Sequence, residues 1–303
     1  MTSAIVDLGT NTFHLLVFTN DRVLYKESLA TKMGMGGINR GEITPGGIDR
    51  SIRVLKIFRE KLDHYEVADE RVFAFGTSAL RSASNAAGVL KRFQEETNIA
   101  VKIIDGKEEA ELIYAGVKQA VALNETGLIV DIGGGSVEFI ICDAEKVLWL
   151  QSFEIGGQRL VERFMKKDPL PVSETGRMEQ YFRETLLPLV NAVHQYRPTV
   201  LVGSSGSFDT LNDLYYCRIS GHLPPEDVAG FDYPAEEFGR AYELLLFSNR
   251  EERLKIPGMK ELRVDMIVVA MVLIRFLLET LGINKIKISN YALKEGAMSL
   301  HAS

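Results

Sequence analysis

The stretch Leu128-Ile129-Val130-Asp131-Ile132-Gly133-Gly134-Gly135-Ser136-Val137-Glu138-Phe139-Ile140-Ile141-Cys142 reads as two short apolar strands around a glycine-rich turn. Runs this apolar and this close together pair as an antiparallel hairpin. The same template stands near the start of the chain, as Ala4-Ile5-Val6, then Asp7-Leu8-Gly9-Thr10-Asn11-Thr12, then Leu15-Leu16-Val17-Phe18. In both copies an apolar strand is followed by Asp, an apolar residue, Gly, two small or polar residues, and Thr or Ser. Two copies one domain's length apart mark an internal duplication rather than a solenoid period. The chain therefore divides into residues 1–124 and 125–303.

Outward from the hairpins, strand-like and helix-like segments alternate. Ile48, Ile52, Leu55, Phe58 and Leu62 keep the three-to-four spacing of one buried helix face. Residues 72–75 predict a buried strand ending at Gly76-Thr77-Ser78, a helix-capping sequence. A strand over 101–104 leads through the Asp105-Gly106 turn into a helix over 107–123 with an acidic first turn. Later strands are expected at 199–202, ending at Gly203-Ser204-Ser205-Gly206, and at 285–288. A long buried helix is expected over 262–281, and a surface loop over 221–231, which contains Pro224 and Pro225. This alternation predicts an α/β fold.

At 303 residues the chain suits about two ordinary domains. With 46% hydrophobic and 25% charged residues it can bury a core, which excludes disordered, collagen-like and disulfide-stapled classes. A net charge of -6 argues against a general nucleic-acid-binding surface while allowing a local basic cleft. Cys142 and Cys217 form no disulfide framework and no Cys-x-x-Cys pair, as suits a reducing compartment. No basic leader precedes the first strand, and the apolar run 266–274 between Asp265 and Arg275 is too short to span a bilayer. A cytoplasmic location with no membrane partner is the expectation.

A glycine-rich hairpin turn aims several backbone N–H groups at one point and lets an anion approach closely. Thr10, Asn11, Thr12 and Ser136 add hydroxyl and amide donors. Either loop alone reads as an ordinary turn. Together, each led by an aspartate, they imply more. Carboxylates repel phosphate unless a cation lies between, so Asp7 and Asp131 point to Mg²⁺ or a similar hard divalent ion. Neither loop has the Gly-x-x-x-x-Gly-Lys-Ser/Thr pattern of a Walker-type nucleotide site. His14 reads as a packed or hydrogen-bonded strand residue. Trp149, Tyr215 and Tyr216 read as packing residues.

Paired loops of this kind resemble those of the acetate and sugar kinase, chaperone and actin superfamily. More specific are Asp7-Leu8-Gly9-Thr10-Asn11-Thr12-Phe13-His14, Gly76-Thr77-Ser78-Ala79-Leu80-Arg81, Gly106-Lys107-Glu108-Glu109-Ala110, Asp131 to Glu138, Gly203-Ser204-Ser205-Gly206 and Ala292-Leu293-Lys294-Glu295-Gly296. These six strings, in this order and across nearly the whole chain, resemble the exopolyphosphatase and guanosine pentaphosphate phosphatase (Ppx/GppA) family. The resemblance implies two actin-like, ribonuclease H-like domains with a cleft between them, the segment 291–303 completing the first. It also implies Mg²⁺-dependent removal of a terminal phosphate from polyphosphate or guanosine pentaphosphate.

Under that resemblance Glu109 is the general base, and Arg81 grips phosphate and offsets its charge. Asp131, Glu138 and Asp7 are the metal-holding acids. Gly9, Thr10, Asn11, Thr12, Gly133, Gly134, Gly135, Ser136, Gly203 and Ser204 bind phosphate. By residue pattern alone, Glu108, Glu109 and Glu111 are acids that complement a helix N-terminus, and Arg81 is a solvated helix residue. Glu108 and Glu111 are expected to keep that plain role. Lys32, Arg81 and Lys294 are expected to make the cleft locally basic.

Exopolyphosphatase is the first-choice activity. Guanosine pentaphosphate hydrolysis and a non-catalytic alarmone- or nucleotide-binding regulator are the alternatives, followed by an ATP-using kinase and an actin-like filament or chaperone. Self-association as a homodimer is expected from the resemblance alone. Lys294 stands where the family often has arginine and Ala292 where it often has glycine, and the chain resembles the short, two-domain members.

Overall fold

A computed structural model describes residues 1–20 and 22–301. The strands are β1 (Ser3–Leu8), β2 (Thr12–Phe18), β3 (Val23–Ala30), β4 (Val72–Gly76), β5 (Val101–Ile103), β6 (Gly127–Ile132), β7 (Val137–Cys142), β8 (Val147–Phe153), β9 (Val200–Ser204), β10 (Gly230–Tyr233) and β11 (Lys285–Ser289). The helices are α1 (Pro45–His64), α2 (Ser78–Ser82), α3 (Ala86–Thr97), α4 (Gly106–Ala120), α5 (Gly157–Phe164), α6 (Val172–Thr185), α7 (Leu187–Tyr196), α8 (Gly206–Ser220), α9 (Ala235–Phe247), α10 (Arg250–Leu254), α11 (Met266–Leu281) and α12 (Leu293–His301).

The strands form two sheets, ordered β3-β2-β1-β4-β5 and β10-β11-β9-β6-β7-β8. Read from β8, the second repeats the first and adds β10 at its edge. In each, the hairpin strands are antiparallel and the following strands parallel. The duplication extends to single atoms. Gly9 N–H donates to Thr12 C=O and Gly133 N–H to Ser136 C=O, both at 3.1 Å. Asp7 pairs across its hairpin with His14, as Asp131 does with Glu138. The chain is thus an α/β protein whose two sheets repeat one topology. Its central strands are buried on both faces, which is why they read as unbroken apolar runs.

Three of the four edge strands, β3, β8 and β10, are ones sequence periodicity passes over. β3 and β8 alternate or sit half-buried, and polar residues dilute their signal. β10 takes the last part of the expected 221–231 loop, because Phe231 and Tyr233 turn inward while Asp232 stays out. The helix expected over 262–281 begins only at Met266, after turns that free Arg263 from helical packing. The helix expected over 107–123 stops at Ala120, where Val121 turns extended. Gly76-Thr77-Ser78 does open a helix, but neither hydroxyl caps it. Trp149, Tyr215 and Tyr216 do pack against the core, and both cysteines are free thiols. Among the described residues, no helix is long and apolar enough to cross a membrane.

An apolar cluster joins the two sheets. Ile5 and Leu16 of the first and Ile129 and Ile140 of the second pack on Ile113 and Val117 of α4 and on Leu293 and Ala297 of α12. The two helices cross backbone to backbone. A β-carbon at Gly296 would stand 1.8 Å from Leu112 O, and one at Gly116 would stand 2.0 Å from Ala292 O. Main-chain oxygens cannot swing aside, so a helix that would otherwise prefer alanine keeps glycine here. Gly296→Val should therefore cost about 3 kcal/mol or more through overpacking. Its melting temperature, followed by circular dichroism, should fall by roughly 6–12 °C. An unchanged melting temperature would contradict the close crossing. The crossing matters for function because α12 also carries Lys294.

Candidate active site

The carboxyl ends of β1 and β6 bring the two hairpin turns face to face. They touch: a β-carbon at Gly135 would lie 2.5 Å from Thr10 Oγ1 and 2.6 Å from Ser78 Oγ. The carbonyls of Gly133, Gly134 and Gly135 accept from the N–H groups of Gly157 (2.9 Å), Gln158 (2.8 Å) and Gly156 (3.2 Å), at the start of α5. In a trans peptide the N–H points opposite its carbonyl. Fastening these three carbonyls to α5 therefore directs the N–H groups of Gly134, Gly135 and Ser136 the other way, away from that helix. The cavity between the turns measures about 120 Å³. That suits a phosphate with water and falls short of the several hundred Å³ of a nucleotide-sized pocket.

Carboxyl groups dominate its walls. Glu109 projects from the first turn of α4, which Asp105 caps by accepting from Lys107 N (2.9 Å) and Glu108 N (2.8 Å). Burial pushes the Glu109 carboxyl up to about 7, against the Arg81 guanidinium 2.7 Å away and with help from Asp7 and Asp131. Asp7 opens onto the cavity but is otherwise enclosed, and burial raises it to about 7 against the pull of Lys294. Burial likewise raises Asp131, although Ser205 donates to its Oδ2 at 2.7 Å. Glu138, expected among the metal-holding acids, does not line the cavity and is buried at 1% exposure. Burial, Glu109 and Asp131 push it well above the carboxylate range, and it accepts from Ser152 at 2.7 Å. Asp209 of α8 is raised to about 6, chiefly by burial, against Lys294 and Arg263.

The cations are Arg81, Arg263 and Lys294. Burial opposes the charge on Lys294, but Glu295, Asp209 and Asp7 hold its proton above the ordinary range. Carboxyl groups thus outnumber these cations, and buried Asn11 Oδ1 has no hydrogen-bond partner. Such a surplus of hard oxygen donors fits a hard divalent cation. Among the described residues no three His, Cys, Asp or Glu side chains form a ready-made ligand group. An ion here would need water and substrate oxygens to complete its shell.

Over residues 18–301 the sequence matches the Ppx/GppA phosphatase family. The chain belongs to that family. Among solved structures it is similar to an exopolyphosphatase from Cytophaga hutchinsonii ATCC 33406, with 44% identity, a TM-score of 0.96, and coverage of 100% of this chain and 98% of that one. It is also similar to the Aquifex aeolicus PPX-GPPA enzyme, at 25% identity and a TM-score of 0.78, over 100% and 99% of the two chains.

In this Ppx/GppA protein, Gly9, Thr10, Asn11, Thr12, Gly133, Gly134, Gly135, Ser136, Asp7, Asp131 and Glu109 all line the cavity. Arg81 does not line it but reaches it through Glu109, whose Oε2 it meets at 2.7 Å, and is also held on Ile104 O (3.2 Å). Gly203 and Ser204 do not line it. Gly203 makes room for the Phe208 ring, and the Ser204 hydroxyl lies 3.4 Å from Tyr291 O and within hydrogen-bond reach of Asp131. The cavity is instead lined by the next two residues, Ser205 and Gly206. Ser205 takes φ 68°, a conformation strained for any side chain. Its hydroxyl is held on Asp131, and Gly206 leaves space for the Arg263 guanidinium.

Lys32 is exposed and takes no part in lining the cavity, whereas Lys294 does. Arg263 and Asp209 line it without having been singled out from the sequence, and Ser78, read there as part of a helix cap, lines it too. The one available signal for Arg263 was a charge set just ahead of the chain's most apolar helix. Glu108 and Glu111 make surface pairs with Lys102 (2.5 Å) and Lys107 (3.7 Å). Neutral His14, lowered by burial, hydrogen-bonds Ser28 at 2.7 Å.

Proposed function

We propose that this cleft hydrolyses the terminal phosphoanhydride of inorganic polyphosphate, with water as acceptor, Glu109 as general base and Mg²⁺ as cofactor. The observation that carries the reading is the Glu109 carboxyl, buried beside two anion-binding turns and raised to about 7. A base tuned near neutrality removes a proton most effectively at neutral pH. The similarity to the Cytophaga exopolyphosphatase supports the substrate class.

The turns would hold the terminal phosphate through backbone N–H groups and the Thr10 and Ser136 hydroxyls. Asp7 and Asp131 would hold Mg²⁺, which supplies charge neutralisation at the phosphate oxygens when bound. Arg81 keeps the Glu109 carboxylate in place and offsets negative charge as the reaction proceeds. Water oxygen bonds to the terminal phosphorus, its proton passes to Glu109, and the bridging P–O bond breaks to release the shortened chain. Orthophosphate is the second product.

Polyphosphate is taken as the substrate on the similarity to the Cytophaga exopolyphosphatase. With Mg²⁺, phosphate release from polyphosphate should exceed that from guanosine pentaphosphate and from ATP by about tenfold or more in kcat/KM. Preference for guanosine pentaphosphate, or release from none of the three, would overturn the assignment.

A further inference from the structure

Glu154, just beyond β8, lines an outer groove of about 390 Å³ together with Arg81, Gly106, Lys107 and Ser152, and is joined through Ser78 to the wall of the inner cavity. Three donors converge on its carboxylate. Ser78 Oγ donates to Oε2 at 2.7 Å, Arg159 Nη2 to Oε2 at 2.5 Å, and Arg81 Nη2 to Oε1 at 3.3 Å. Ser78 and Arg81 come from α2 in the first half of the molecule, Arg159 from α5 in the second. The carboxylate therefore bridges the two halves.

The two arginines are fixed without it. Arg159 is also tied to Gly135 O (2.8 Å), Ile38 O (2.8 Å) and Ser82 Oγ (3.0 Å), and Arg81 to Glu109 and Ile104 O. Their side chains are only 13% and 19% exposed, against 45% for Glu154. Among the described residues the Glu154 carboxylate has no hydrogen bonds beyond these three. A half-exposed acid thus sits on a well-anchored cationic cradle. Guanidinium groups and a hydroxyl accept a phosphate's oxygens in the same way as a carboxylate's.

We infer that Ser78, Arg81 and Arg159 form a second anion subsite, for the phosphate next to the terminal one in an oligophosphate chain, and that Glu154 is a resident anion the chain displaces. This rests on the phosphate-chain reading above. Beyond the subsite the groove leads past Lys107, whose side chain is 72% exposed. The ligand class is an oligophosphate of three or more phosphates. Orthophosphate fills the inner cavity alone and has no need to move Glu154.

The test is calorimetric titration of the native protein, Glu154→Ala and Glu154→Gln with orthophosphate and with the bis-methylene analogue of tripolyphosphate, which has no P–O–P bond to hydrolyse. Glu154→Ala should bind the analogue about tenfold more tightly, and Glu154→Gln should fall between it and native. Orthophosphate affinity should change by less than about twofold. Unchanged or weaker analogue binding in both variants would overturn the inference, as would equal tightening of both ligands. The readout does not depend on turnover. Tighter analogue binding by a protein that releases no phosphate would sink the hydrolase reading and leave the subsite standing. Normal turnover with unaltered binding would do the reverse.

Discussion

Glu109→Gln is expected to lower kcat for phosphate release from polyphosphate about 10²- to 10⁴-fold, with KM moving by less than about threefold. Glutamine keeps the shape of the side chain and one oxygen for the Arg81 contact at 2.7 Å, but it cannot accept a proton from water. An effect on kcat with little on KM is the mark of a group that acts in the transition state. The pH profile carries the same information. Glu109 must be ionised to act, and its carboxyl is raised to about 7 by burial. Activity should therefore climb with pH along a limb at or below about 7, since a bound cation would draw the limb downward. The glutamine variant should lose that limb. A variant within about threefold of native kcat would remove Glu109 from the chemistry.

Asp7→Asn is expected to stabilise the cation-free protein. The Asp7 carboxyl sits at about 7 in the folded chain against an ordinary 3.8, because burial and the neighbouring acids disfavour its charge. Between those values the folded protein retains a proton that the unfolded chain has lost. The contribution to stability is full below pH 3.8 and is lost as pH rises through about 7. Glu109, Asp131, Glu138 and Asp209 share the direction. In chelator the native protein should thus melt lower at pH 8 than at pH 6. An asparagine side chain carries no charge to bury, so the variant should gain on the order of 2–4 kcal/mol at pH 8. That corresponds to roughly 5–10 °C in melting temperature. With Mg²⁺ present the native protein should recover most of this gap, and the variant little. A variant that melts below native at pH 8 in chelator would show that the Asp7 carboxylate is not strained by its surroundings.

Both hairpins were readable because their chemistry is local. Apolar runs of three or four residues flank a glycine turn, and the aspartate one residue before the end of each first strand occupies the same register in both halves. Glu109 became a site residue through resemblance, and its burial is a property only the packed helix confers. Arg263 and Asp209 reach the cavity by tertiary routes that leave no local pattern. One lies in the turns before α11, the other on α8 behind a strained serine. The Gly203-Ser204-Ser205-Gly206 string was placed correctly at a strand end, but which pair faced the cavity depended on the Phe208 ring beneath it. Lys32 belongs to a loop whose backbone, not its ammonium, is used: its carbonyl accepts from Arg50 at 2.7 Å. The edge strands β3 and β8 were passed over because partial exposure mixes polar with apolar residues.

The most direct test of the central claim is single-turnover hydrolysis of polyphosphate in ¹⁸O-labelled water with Mg²⁺, with the label located by mass spectrometry. Attack by water on the terminal phosphorus puts one ¹⁸O into each released orthophosphate and none into the shortened chain, and that is the predicted result. Label in the shortened chain would place attack on the penultimate phosphorus. Absence of labelled orthophosphate, with phosphate appearing instead on an added acceptor such as ADP, would make the protein a phosphotransferase. Either outcome would contradict the account.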